Sequence, residues 1–359
     1  MSKKSPLKLN LALQGGGAHG AFTWGVLDRL LEEEDIEIIG ISGTSAGAMN
    51  AAVLVEGYAE NGRQGAKDQL RAFWEEISGA SRFFGADLHS PFGQMAQAFQ
   101  PDFSAMYTMF DMLTRTFSPY ETNPLNLNPM RGVLEKIIDF QRLRNHSSMH
   151  LFVTATNVET GQARIFTSKE MHVDVLLASA CLPFLFQAVE IDGVPYWDGG
   201  YMGNPSIWPL FYKTRCNDIL LVQINPIDRV GTPKKSIDII NRLNEISFNS
   251  SLLAEMRAIH FVKDLIHEGK LKDNDYHDVN MHMVAPPADL HEMTASSKMN
   301  ANWEFFSFLH DTGRTRMEEW LKQHKAHIGK ESTLNIAKTF LSRPTHATRS
   351  IAHQDVTND

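Results

Sequence analysis

Ile36-Glu37-Ile38-Ile39-Gly40-Ile41 leads into Gly43-Thr44-Ser45-Ala46-Gly47, and Ala48-Met49-Asn50-Ala51-Ala52-Val53-Leu54-Val55 leads out of it. The reading of this passage decides the fold. The incoming segment is short and rich in β-branched residues, which predicts a buried strand. The outgoing segment is Ala-rich, which predicts a buried helix. A strand, a tight turn between small residues and a helix are the setting of a nucleophile elbow. In that turn the central Ser takes a strained backbone conformation, for which Gly43 and Gly47 leave room. Its Oγ stands exposed at a helix N-terminus, where the dipole favours developing negative charge. Ser45 is therefore a candidate nucleophile.

A bare G-x-S-x-G is weak evidence, and a second glycine motif upstream strengthens it. Gly15-Gly16-Gly17-Ala18-His19-Gly20 follows Leu7-Lys8-Leu9-Asn10-Leu11-Ala12-Leu13, whose alternating leucines predict a half-buried strand. A helix from about Ala21 to Glu33 comes next, with Phe22, Val26, Leu27, Leu30 and Leu31 on one side. Glycines at 15, 17 and 20 also satisfy the dinucleotide fingerprint, so a Rossmann domain competes. That fold wants an acidic residue at the far end of the following strand. Here Asp35 and Glu37 lie at its near end, and the far end delivers Gly43 and Ser45. Both loops open on one edge of one sheet, so the glycine-loop amides can point at a carbonyl held over Ser45. An oxyanion hole explains both motifs; a nucleotide site explains only one.

The candidate base is in Tyr196-Trp197-Asp198-Gly199-Gly200, after a predicted hairpin turning at Asp192-Gly193. Taken alone, Asp198 before two glycines reads as a turn aspartate. An unperturbed Asp is a poor base at neutrality, and burial beside Trp197 is the expected means of raising its pKa.

Three blocks in this order, Gly15 to Gly20, Gly43 to Gly47 and Asp198 to Gly200, resemble the patatin-like phospholipase family, as does Ala178-Ser179-Ala180-Cys181-Leu182-Pro183-Phe184. The likeness runs from about Leu11 to about Phe211. It implies an α/β fold: a three-layer α/β/α core with a mostly parallel central sheet; beyond Asn225-Pro226, where the likeness thins, the apolar periodicity reads as a mostly helical C-terminal extension. The resemblance implies a Ser45–Asp198 dyad acting on acyl esters of lipids without a catalytic His and without a cofactor or metal. The amides of Gly15, Gly16 and Gly17 would form the oxyanion hole, with Ala46 as a further donor. Gly20, Gly43, Gly47, Gly199 and Gly200 are the motif glycines. Position 19 departs from the pattern. The family usually has Arg or Lys there, so His19 would place a titratable group on the substrate side of the loop.

Three alternatives stay open. One is an ordinary Ser, acid, His triad, for which His260, His267, His277, His282, His291 and His310 are available. His310 precedes Asp311-Thr312-Gly313, a turn or helix-end signature. Another is acyl transfer on the same dyad, and the last is a binding module without catalysis.

The chain has 359 residues, a formal net charge of −8 and two cysteines. Mild acidity argues against nucleic acid as a partner, and two cysteines make no disulfide framework. Cys181 reads as a small buried hydrophobe in an apolar helix. The basic N-terminus has no signal-type apolar run after it, and Ala46 to Val55 is too short to span a bilayer. The expectation is a cytoplasmic location with peripheral membrane contact at most, the oligomeric state being left open.

The domain expectation is a catalytic unit over 7–225, a helical extension over 226–340 and a polar tail over 341–359. Phe99, Phe103, Met106, Phe110, Leu113 and Phe117 recur at helical steps inside an apolar insertion at about 80–130. That stripe reads either as packing on the core or as a lid or acyl-chain channel. Met149 to Thr156 with Gln162 to Phe166, and Ile219 to Ile224, read as further strands. Ser236 to Lys270 and Trp303 to His324 read as helices, and Met281 to Val284 as a last strand.

Overall fold

A computed structural model describes residues 5–85, 117–146, 148–229, 231–271, 276–287, 290 and 295–342. The helical stripe from Phe99 to Leu113, His291 and the tail from 343 lie outside the described residues.

Eight strands form one sheet: β1 (Leu7–Leu13), β2 (Ile36–Gly43), β3 (His150–Asn157), β4 (Ala163–Thr167), β5 (Val189–Ile191), β6 (Val194–Asp198), β7 (Asp218–Val222) and β8 (Asn280–Val284). Their order is β5-β6-β3-β2-β1-β7-β8, with β4 paired to β3 off this path. The run β3-β2-β1-β7-β8 is parallel throughout, while β4, β5 and β6 pair antiparallel. The β5–β6 hairpin turns on Asp192 and Gly193 with φ of 52° and 76°. Two positive φ values are what a two-residue I′ turn requires.

The period-2 pattern of the strands separates two cores. Leu9, Leu11 and Leu13 of β1, Leu151 and Val153 of β3, and Leu220 and Val222 of β7 face one side. There they meet α1 (Gly20–Leu30), the first half of α2 (Ala46–Gly85), α5 (Val173–Ser179) and α8 (Trp303–His324). Ala12, Phe152, Ile219 and Leu221 face the other side, against α6 (Trp208–Lys213) and α7 (Ser236–His267) through Leu210, Leu252 and Met256. Helix, sheet and helix are thus the three layers. α2 extends far past the Ala-rich segment and is interrupted at Asn61 and Gly62, whose backbone is non-helical. Short helices α3 (Pro129–Ile137) and α4 (Phe140–Asn145) lead back into β3.

The C-terminal region is helical and built into the core, since β8 extends the sheet beside β7 and α8 lies on α1. Asp311-Thr312-Gly313 is not a turn or helix end but the middle of α8. A Cβ on Gly313 would strike the Phe22 carbonyl, and one on Gly25 of α1 would strike the His310 carbonyl. The two glycines bring the helix backbones together where side chains would hold them apart. Cys181 is buried as expected, two residues beyond the end of α5 rather than within a helix.

Candidate active site

The turn from β2 to α2 is as tight as its residues allow. Ser45 has φ of 52°, one of three non-glycine residues with positive φ among the described residues. Such a conformation costs on the order of 1–3 kcal/mol and persists only when its surroundings hold it. Here they do. The Ser45 N–H donates to Ser179 Oγ at 2.9 Å, and Ser179 Oγ donates to the Thr154 carbonyl at 2.7 Å. The Thr44 hydroxyl donates to the Gly203 carbonyl at 2.6 Å. A Cβ on Gly47 would overlap the Leu13 carbonyl, and one on Gly43 would lie 2.6 Å from the Gly47 carbonyl. Both glycines are therefore required by the close approach of β1 and of the turn itself.

Asp198 reaches this turn through β3. Strand β4 occupies one edge of β3 from Phe152 to Thr156, so β2 and β6 share the other edge. β2 leaves it at Gly43 opposite Val153, and β6 arrives with Asp198 opposite Ala155. The two strand ends therefore face each other. The Asp198 carboxylate accepts the Gly200 N–H at 2.7 Å, and the Ser45 side chain lies beside it. Burial pushes its pKa up from 3.8 to about 7, and the Gly200 N–H and the Ser45 side chain oppose the rise. Trp197 is not its cover, because successive residues of β6 point to opposite faces. The Asp198 charge is felt by Tyr201 and Cys181, both raised to about 12 by burial first and then by that charge. A Cβ on Gly199 would overlap the Thr154 carbonyl, and one on Gly200 the Phe248 ring, so β3 and α7 close the site from two sides.

The glycine loop lies against the elbow. A Cβ on Gly15 would be 2.8 Å from Ser45 Cβ, and one on Gly20 would be 2.8 Å from Ala46 Cβ. Gly15 corrects the expectation of three free amides, because its N–H donates to Asn204 Oδ1 at 2.7 Å. The amides of Gly16, Gly17 and Ala46 have no hydrogen-bond partner among the described residues. Gly17 has φ of 58°, a conformation that favours glycine. His19 is buried, with Nε2 at 2.8 Å from Ser297 Oγ. Burial first, then the charges of Lys298 and Arg229, lower its pKa to about 3. The expected titratable charge beside the loop is thus a neutral imidazole across the physiological range.

Several residues of the site carry no local sequence signal. Gln14 Oε1 accepts the Ile224 and Asn225 amides at 2.8 and 2.9 Å, which ties the loop to the end of β7. Asn204, Asn225 and Lys298 join it from segments far away in sequence. Ser179 lay inside a quoted motif, and only its contact to the Ser45 amide reveals its part. Four of the six histidines that a triad would draw on are engaged elsewhere: His260 with Asp264, His267 with Asp278, His282 with Asp218, and His310 with Asp28; His277 is exposed, and His291 lies outside the described residues.

A mostly parallel sheet between two helical layers, with a strained Ser at a strand-to-helix turn, a glycine loop beside it and a buried Asp from the adjoining strand end, defines the class: a three-layer α/β/α protein. The patatin-like phospholipase profile matches residues 11–211, more than half of the chain, and the chain belongs to that family of lipid acyl hydrolases. No curated protein sequence matches it. Among solved structures it is similar to VipD from Legionella pneumophila, at 15% identity over 97% of this chain and 75% of that one, with a TM-score of 0.45. It is also similar to a chain of the heterodimeric ExoU–SpcU complex of Pseudomonas aeruginosa, at 15% identity over 98% of this chain and 60% of that one, with a TM-score of 0.38. Among the described residues no helix is long and apolar enough to cross a membrane.

Proposed function

We propose that this chain cleaves carboxylic acyl esters of lipids with Ser45 as nucleophile and Asp198 as general base. The observation that carries this reading is the contact of the strained Ser45 side chain with a buried carboxylate whose pKa is about 7. A base poised near the working pH is the most effective one. Asp198 takes the hydroxyl proton as Ser45 Oγ attacks the ester carbonyl, and the carbonyl electron pair moves to oxygen. The resulting oxyanion is received by the free amides of Gly16, Gly17 and Ala46. Collapse of the tetrahedral intermediate breaks the bond to the alcohol, which takes the proton from Asp198, and the acyl group stays on Ser45. Water repeats the sequence in reverse roles and releases the fatty acid.

An apolar rim supports a lipid as the substrate and peripheral contact with a membrane surface. Phe117, Leu125, Leu127 and Phe184 are all exposed. The segment that carries the first three is fastened beside the fourth: Gln187 Nε2 donates to the Asn123 carbonyl at 2.8 Å, and the Ala188 N–H donates to Tyr120 OH at 3.3 Å. Cys181, three residues before Phe184, accepts the Asp198 N–H through its carbonyl at 2.8 Å. The same dyad would serve acyl transfer if an alcohol replaced water.

The experiment is fluorophosphonate labelling of wild type, Ser45→Ala and Asp198→Asn, alongside hydrolysis of p-nitrophenyl esters of increasing chain length. Label on wild type alone among wild type and Ser45→Ala, with turnover lost in both variants, is the expected result. Turnover that survives Ser45→Ala would remove the nucleophile assignment.

A further inference from the structure

The glycine loop carries no charge of its own at neutral pH, because His19 is held neutral. A cation is nevertheless brought to it by the single turn Ala295–Met299, which precedes α8. The Lys298 carbonyl sits 2.5 Å from where a Cβ on Gly17 would be, so this turn rests directly on the loop backbone. Next to it Ser297 Oγ meets His19 Nε2. The Lys298 ammonium donates to Asn225 Oδ1 at 2.7 Å, and Asn225 Nδ2 donates in turn to the Gly15 carbonyl at 2.8 Å. A chain of two hydrogen bonds therefore runs from the ammonium to the peptide unit whose N–H is that of Gly16. Polarisation along such a chain strengthens each member, and a positive charge at its head makes the Gly16 amide a better donor.

Although Lys298 as a residue is only partly buried, its ammonium is withdrawn from water, which lowers its pKa to about 8. Among the described residues the charged groups acting on it are Glu245 of α7, which favours its charge, and Arg229 after β7, which opposes it. Glu245 is itself clamped by Arg229 and Arg242. The charge is felt across the loop, since after burial Lys298 is the largest influence on His19.

We propose that Lys298 is the cation of this site, a positioning residue delivered from the C-terminal region that braces the glycine loop through Asn225 and strengthens its amides for the oxyanion. The inference rests on the reading of Gly16 and Gly17 as oxyanion donors. It assigns the C-terminal region a part in the reaction rather than in packing alone.

The test compares pH profiles of kcat and KM for p-nitrophenyl ester hydrolysis by wild type, Lys298→Arg and Lys298→Met, with Ser45→Ala as the blank and thermal melting as the check on folding. Wild-type kcat should fall as the pH rises through about 8, where the ammonium loses its proton. Lys298→Arg should keep kcat within about threefold at pH 7 and lose that alkaline fall, because a guanidinium stays charged. Lys298→Met should lower kcat at least tenfold at pH 7 with little change in KM. An alkaline fall that persists unchanged in Lys298→Arg, or Lys298→Met within twofold of wild type, would overturn the proposal. If Lys298→Met does not fold, the Lys298→Arg profile decides by itself. Turnover remaining in Ser45→Ala would instead strike the proposed function, so the two failures are told apart.

Discussion

Asp198→Asn is expected to make the protein more stable at pH 8 and inactive at every pH. A carboxyl that is harder to ionise in the folded state takes up a proton on folding between its unfolded and folded pKa values. For Asp198 these are 3.8 and about 7. Folding stability is therefore least affected below about pH 4, declines as the pH rises through the window, and carries the whole cost above about 7. The difference corresponds to about 4 kcal/mol. Asn at this position has no charge to desolvate, its Oδ1 can still accept the Gly200 N–H, and its Nδ2 can donate to Ser45 Oγ. Urea melts of both proteins at pH 5 and pH 8 measure the effect. The wild type should be the weaker of the two at pH 8 by several kcal/mol, and the gap should shrink at pH 5. In parallel, wild-type kcat/KM should climb through pH 7, with about a tenth of the plateau at pH 6. Equal stability of the two proteins at pH 8, or an acid limb centred near pH 4, would refute the reasoning, for either result means that Asp198 is solvated and ordinary.

Three further expectations follow from the same contacts. Ser179→Ala removes the acceptor for the Ser45 N–H and the donor to Thr154, so it should cost about 1–3 kcal/mol in chemical denaturation and lower kcat more than it raises KM; unchanged kcat would show that the strained turn holds without it. His19→Arg places a third cation in desolvated surroundings beside Lys298 and Arg229, and it should lower stability by about 3 kcal/mol; a melting temperature equal to wild type would contradict the placement of Lys298. Gly25→Ala drives a methyl group into the His310 carbonyl and should cost about 1–3 kcal/mol by thermal melting, with activity kept at temperatures where the variant is folded.

The strained turn at Ser45 was legible because its requirements are local. Small residues at 43 and 47, a β-branched approach and an Ala-rich exit are conditions on one stretch of backbone, and each leaves a mark on the residue type. The same holds for the Asp192-Gly193 hairpin and for the leucines of β1. Within α8, which the periodicity read as one helix from Trp303 to His324, the local signal at Asp311-Thr312-Gly313 misleads: it looks like a helix end, and only the approach of α1 explains a glycine in mid-helix. Burial of Asp198 was foreseen with the wrong neighbour, since Trp197 is adjacent in sequence and on the opposite face of the strand.

The sequence by itself determined the class of fold, the elbow at Ser45, the glycine loop and the family, because turn chemistry and strand and helix periodicity are written in consecutive residues. Only the tertiary structure decided that β2 and β6 share one edge of β3 and so bring Ser45 to Asp198. It also decided that Asn204 takes the Gly15 amide, that Ser179 holds the Ser45 amide, and that His19 is neutral with Lys298 beside it. These are hydrogen bonds and desolvations between segments far apart along the chain, and a polar side chain that serves a distant backbone group leaves no periodicity or spacing at its own position.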